Sequence, residues 1–193
     1  RYSIAMVAHA RRLGLPVTCE ITPHHFTIAD LDLIPGDVNY KMKPPLRACC
    51  DIDASLEGIM SGVIDAIATD HAPHSEELKA LGFERCPFGI LGLETALGLS
   101  LERLVHPGRI TLRHLVELFT TGPERVMRLG RATLAPGAPA DVTIFDLDRE
   151  WTYRNVESYS KSRNSPFDGR VFRGGPVATI VAGRVVWAHG EFR

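Results

Sequence analysis

The sequence predicts an α/β fold with parallel strands, followed by a small β-rich unit. Three observations predict it. Helical and β-branched segments alternate over the first part of the chain. Two β-branched runs end in polar clusters, "TPHH" at 22–25 and "TDHAPH" at 69–74, and in parallel α/β folds functional side chains gather where strands give way to loops. From residue 130 onward the texture turns to Gly/Pro turns and β-rich runs.

Taken in order, "YSIAMVAHARRL" (2–13) places Ile4, Val7 and Ala8 on one helical face and stops at Gly14 and Pro16. "VTCEIT" (17–22) is short and β-branched and reads as a strand. The loop 23–50 is long enough to suggest function. "DIDASLEGIMSG" (51–62) reads as a helix with Asp51 near its N-cap, and "VIDAIATD" (63–70) as a second buried strand. Beyond a second loop, 71–90, "LGLETALGLSLERLV" (91–105) and "TLRHLVELFTTGPERVMRL" (111–129) are amphipathic helices. "LAPGAPADVTIFDLD" (134–148) is a turn and then a strand, "SYSKSRNSPFDG" (158–169) a polar loop, and "VATIVAGRVVWAHGEF" (177–192) a hairpin turning at "AGR". Two units are expected, 1–129 and 130–193.

Composition narrows the function classes. The 193 residues are 45% hydrophobic and 23% charged, as in a globular domain. A net charge of −1 gives no electrostatic reason to expect a nucleic-acid or membrane-surface partner. No apolar run reaches the roughly 18 residues of a spanning helix. Cys19, Cys49, Cys50 and Cys86 fit no zinc-finger or CxxC spacing, and adjacent Cys49 and Cys50 make a poor disulfide pair. Reduced thiols and a cytoplasmic location are therefore expected. The chain begins at Arg1 in what reads as mid-helix, without a signal peptide, so the C-terminal part of a longer protein is expected.

Several residues carry candidate chemistry. Alternation along "AIATD" puts Ala66, Ala68 and Asp70 on one strand face. A carboxylate at such a mouth can ligate a metal or exchange a proton with water that a metal activates; the plain alternative is an aspartate capping the next turn. His74, held near Asp70 by Pro73, can donate to a substrate carboxylate, whereas His71 reads as a supporting residue. Adjacent His24 and His25 cannot both face one ion from a strand, so one packed and one loop histidine are expected. Glu20 is a buried-strand acid and hence a candidate. "KMKPPLR" (41–47) brings three positive charges, Lys41, Lys43 and Arg47, around a stiff Pro-Pro as a rigid cationic loop suited to an anion, the plain alternative being a solvated basic loop. "CPFGIL" (86–91) offers the Phe88 ring and the Gly89 backbone. Together these support a metal-assisted or acid–base enzyme acting on a small anion, without naming a reaction.

The combination of "TCEITPHHF", "KMKPPLR", "ATDHAPH" and "PFGILGLETALGL" resembles the C-terminal half of bacterial type I dihydroorotases, in the amidohydrolase superfamily. The similarity runs along the whole chain. It implies a (β/α)8 TIM-type barrel with a small β-rich domain, so that 17–22 and 63–70 would be its last two strands. It implies reversible cyclisation of N-carbamoyl-L-aspartate to L-dihydroorotate in pyrimidine synthesis, with one or two Zn2+ per site. By the same resemblance Asp70 is a metal ligand and the catalytic proton shuttle. His74 contacts the substrate carboxylate, and Phe88 and Gly89 line the substrate pocket. The residue before "PPLR" is typically a substrate-contacting asparagine; here Lys43 stands in that place. The other metal ligands would lie upstream, and no H-x-H occurs in this chain. The resemblance also admits a homodimer or a complex with aspartate transcarbamoylase. Two rivals stand beside it: a related cyclic amidohydrolase, such as allantoinase or dihydropyrimidinase, and a non-catalytic partner of aspartate transcarbamoylase.

Overall fold

The alternation of helix and strand is built around one parallel pair. In the computed structural model, which describes residues 1–188 and 190–192, α1 (Tyr2–Arg12) leads into β1 (Glu20–Ile21), and α2 (Cys49–Met60) crosses over to β2 (Ala66–Ile67). Glu20 lies opposite Ala66 and Ile21 opposite Ile67. Flanking bonds from Asp65 N–H to Cys19 O (2.8 Å) and from Ala68 N–H to Ile21 O (3.0 Å) lengthen the ladder slightly. The strands expected over 17–22 and 63–70 are thus shorter, for visible reasons. Pro23 opens a 3-10 turn after β1, and Asp70 enters the left-handed region (φ 48°) after β2. Arg11 staples the unit: Nε–H donates to Val17 O, Nη1 to Gly62 O, and Nη2 to Asp65, whose carboxylate also accepts Cys19 N–H.

The loop 23–50 is not structureless; 3-10 turns occupy Pro23–Phe26, Asp30–Asp32 and Val38–Tyr40. Helix α2 starts two residues before the expected position, leaving Asp51 in its first turn, where the helix dipole favours an acid. A short α3 (Glu76–Lys79), which periodicity did not reveal, is capped by the Ser75 hydroxyl. The helix expected from 91 begins only at α4 (Ala96–Ser100) and runs on into a π-helical turn, Leu101–Val105. Gly92 and Leu93 are withheld from it because their N–H groups donate to His71 Nδ1. The segment 111–129 breaks at Thr120 into α5 (Leu112–Phe119) and α6 (Thr121–Met127), which lets Gly122 press against the Asp65 carbonyl.

Beyond these, β3 (Val142–Thr152), β4 (Val171–Val181), β5 (Arg184–Ala188) and β6 (Glu191–Phe192) form an antiparallel sheet in sequence order. The β4–β5 turn is Ala182–Gly183, both at positive φ, matching the twist of tight hairpins. The expected hairpin over 177–192 includes His189, and the expected unit 130–193 includes His189 and Arg193; these two residues lie outside the described ones. One core cluster packs Ile52, Leu56 and Ile59 of α2 with Ile67, Leu115 and Leu118. The second packs Ile90 and Leu99 with Tyr153, Phe167 and Phe172. Phe172 is fully buried against Gly98, where an added Cβ would fall 2.7 Å from the ring. Among the described residues no helix is long and apolar enough to cross a membrane.

Candidate functional site

Asp70 follows β2 at its C-terminal end. Its carboxylate is exposed and makes no hydrogen bond among the described residues. The positive φ overrides the alternation expected along 66–70, since the chain leaves the pleat before Asp70. Aspartate tolerates this conformation better than most residues, and such outliers cluster at functional sites. The carboxylate is free to bind a cation or carry a proton.

The neighbouring segment is clamped. His71 pairs with Ile90 in an isolated parallel bridge, and Ala72 N–H donates to Ile90 O at 2.9 Å. Because His71 Nδ1 accepts from Gly92 N–H (3.1 Å), the ring supports the loop, as expected. His74 Nε2 lies 2.8 Å from Phe88 O. A carbonyl only accepts, so Nε2 carries the proton and Nδ1 is the open ring atom. In the imidazolium form Nδ1–H would also face outward as a donor to an anion. Gly89 is at φ 109°, and a Cβ there would fall 2.5 Å from Ala72 Cβ. Only glycine fits. The Gly89 N–H is spent on Lys41 O (2.9 Å), so the backbone offered by "CPFGIL" has no free amide at Gly89.

Phe88 is 49% exposed and carries two ammonium groups near its ring. Lys41 Nζ is 4.6 Å and Lys43 Nζ 5.7 Å from the ring centroid, within cation–π range. Lys43 is exposed, but Lys41 is buried and donates to Glu84 O and Cys86 O. Lys79 likewise donates to Val38 O and Pro87 O, and burial, more than neighbouring Lys41, pushes its amine below the usual lysine range. These two lysines hold the 84–88 loop by its carbonyls, a role the sequence did not signal.

The structure therefore brings His74, Phe88, Gly89 and Lys43 together, with Asp70 at the head of the same segment. Asn164, from the 158–169 loop, also reaches this cluster and was not anticipated. Two candidates do not join. Glu20 is exposed rather than buried, and Arg47 lies beside Asp51 (3.8 Å) on α2. His24 is the packed histidine of its pair and His25 the partly exposed one, as expected. Burial pushes the His24 pKa down to about 3, helped by His25.

A cavity of about 440 Å³ opens beside His74, lined also by Asn39, Glu76, Lys79 and Arg163. A larger one, about 800 Å³, lies on the antiparallel sheet among Trp151, Tyr153 and Trp187 and holds none of these candidates. Chemistry rather than volume picks out the candidate site. Among the described residues no three His, Cys, Asp or Glu side chains converge where they could hold a metal ion. Of Asp70, His71 and His74, Asp70 is the one whose side chain makes no hydrogen bond among the described residues, and its open carboxylate fits a metal ligand's use.

The amidohydrolase family model matches residues 9–186. A dihydroorotase of Solibacter usitatus (strain Ellin6076) is 64% identical over 189 residues, which are 98% of this chain and 44% of that protein. A dihydroorotase of Halalkalibacterium halodurans is 50% identical over 190 residues, with the same coverage. An L-hydantoinase (dihydropyrimidinase) from Arthrobacter aurescens superposes with TM-score 0.88 at 32% identity, over 98% of this chain and 43% of its own. A D-hydantoinase (dihydropyrimidinase) from Thermus sp. superposes with TM-score 0.87 at 25% identity, over 100% of this chain and 44% of its own. The chain spans less than half the length of the curated relatives it matches.

Proposed function

The chain belongs to the amidohydrolase family, and from that premise we propose that it is the C-terminal portion of a dihydroorotase, interconverting L-dihydroorotate and N-carbamoyl-L-aspartate in pyrimidine synthesis. One observation carries the choice of reaction: identity of 64% to a dihydroorotase against 32% to a hydantoinase of similar fold. In this reading residues 1–129 are the last segment of a (β/α)8 barrel, with β1 and β2 as its closing strands, and 130–193 belong to a small β domain. The free thiols of Cys19, Cys49, Cys50 and Cys86 suit a cytoplasmic enzyme.

Family membership implies a metal cofactor, which we take to be zinc. When bound, it would polarise the ring amide carbonyl and acidify the attacking water. Asp70 would be its ligand from this chain. Asp70 would also accept the proton of the attacking water and deliver it to the departing amide nitrogen as the C–N bond breaks. Ring closure is the reverse, and it starts from protonated Asp70. His74, when doubly protonated, would hold the carboxylate of dihydroorotate through Nδ1–H while Nε2–H stays on Phe88 O, beside the Phe88 face and the cationic Lys43. Gly89 would keep this segment packed against Ala72, where any side chain would collide, and so hold the Phe88 face in place.

The test is substrate choice. The complete protein, loaded with zinc, is expected to hydrolyse L-dihydroorotate and to turn over hydantoin, allantoin and dihydrouracil far more slowly. Turnover of any of these three in preference to dihydroorotate would overturn the reading. So would the absence of any turnover by metal-loaded protein, which would mark a non-catalytic subunit.

A further inference from the structure

We propose that Asn164 is a positioning residue for the reaction proposed above, setting the register between the segment that carries His74 and the segment that carries Phe88 and Gly89. The inference rests on that functional reading. Asn164 belongs to the 158–169 loop, far along the chain, and is 4% exposed. Its side-chain Oδ1 accepts His74 N–H at 3.1 Å. Its Nδ2 donates to Ala72 O at 2.9 Å and to Gly89 O at 3.2 Å. Its own carbonyl accepts Leu91 N–H at 3.0 Å. One buried amide thus spends both donors and its acceptor on two substrate-facing segments at once.

The chemistry singles out asparagine. Aspartate would turn an acceptor oxygen, in place of the donor Nδ2, toward the Ala72 and Gly89 carbonyls. Glutamine would push the amide one methylene too far, and alanine would leave two carbonyls and one N–H buried without partners. The loop that presents Asn164 is itself held. Glu94 accepts Tyr159 N–H at 3.2 Å and the Ser158 hydroxyl, Asn155 Nδ2 donates to Ser165 O at 3.0 Å, and Ser165 is buried. A rigid mount of this kind is what positioning within a fraction of an ångström requires. Asn164 borders the cavity beside His74, but its amide is fully committed to Ala72, His74 and Gly89, so it acts through them. Losing it should weaken substrate binding more than proton transfer.

The experiment uses the complete metal-loaded protein and L-dihydroorotate. Asn164→Ala and Asn164→Asp are each expected to raise KM by about tenfold or more while kcat stays within about threefold. In a cycle with His74→Ala, the double variant should raise KM by less than the product of the single effects, because both changes disturb one unit. A lowered Tm with unchanged KM would show a merely structural amide and overturn the proposal. So would KM effects that multiply independently of His74. Should Asn164→Ala not fold, Asn164→Ser is read by the same criteria. Normal wild-type turnover with unaltered KM in the Asn164 variants sinks the positioning role alone. Absence of wild-type dihydroorotate turnover sinks the functional reading first, and this one with it.

Discussion

Asp70 and His74 sit four positions apart, yet the structure gives them opposite surroundings: one carboxylate left open, one imidazole anchored to a carbonyl. Under the proposed function, that contrast separates their expected mutant phenotypes in the complete protein. Asp70→Asn should lower kcat by roughly 10²–10⁴-fold, the usual loss for a general acid–base group. His74→Ala should chiefly raise KM, by a factor matching a lost charge-assisted hydrogen bond of roughly 1.5–3 kcal/mol, with metal content unchanged. Steady-state kinetics with metal analysis decides both; metal loss in His74→Ala would make it a ligand instead. His24 gives a prediction about stability. Its native pKa is about 3 against an ordinary 6.5, chiefly because it is buried. Between those values the unfolded chain binds the proton and the native one does not, so stability rises with pH there. Acidification below about pH 6.5 should therefore cost up to ~1.4 kcal/mol per pH unit from this group. His24→Gln should flatten that slope. Urea midpoints at pH 7 and pH 5 would show it, and equal slopes in both proteins would refute the assignment.

At the level of elements, close approaches decide what sequence periodicity cannot. An added Cβ on Gly122 would fall 2.0 Å from the Asp65 carbonyl, where α6 meets the start of β2. Backbone cannot give way as a flexible side chain can, so Gly122→Ala should destabilise by at least the ~1–3 kcal/mol typical of overpacking. A denaturant midpoint unchanged from wild type would contradict this. The same contact explains a misread element: the apolar period across 111–129 is continuous, but the chain breaks at Thr120 to bring Gly122 against β2. Likewise 91–95 has helical composition but gives two N–H groups to His71. The hairpin at Ala182–Gly183 was legible because its turn chemistry is local. The candidates Asp70, His74, Phe88 and Gly89 lie within compact motifs, which is why the sequence could single them out. The anchoring roles of Lys41, Lys79 and Asn164 were not legible, although Lys41 reads as one charge of the cationic loop. Their partners are backbone carbonyls and amides far away in sequence, and such bonds leave no trace in spacing.

For the whole molecule, the proposed function makes the described residues one end of a catalytic device. The parallel sheet has two strands here, and Asp70 stands alone as an open carboxylate at their C-terminal end. Tyr2, Met6, Leu13 and Leu15, around α1, expose apolar side chains. A single monodentate carboxylate holds zinc weakly; catalytic zinc sites draw on about three protein ligands and keep one position open. Without further ligands the water at Asp70 would not be acidified toward neutrality, and a lone carboxylate cannot generate the nucleophile that amide hydrolysis needs at pH 7. Residues 1–193 expressed by themselves are therefore expected to show no dihydroorotate hydrolysis, with or without added zinc, even where circular dichroism reports folded structure. The complete protein should be active under the same conditions and lose activity on chelation. Zinc-dependent hydrolysis by the isolated 193 residues would mean that they assemble a metal centre of their own, and it would move the chemistry away from Asp70 acting as one ligand among several.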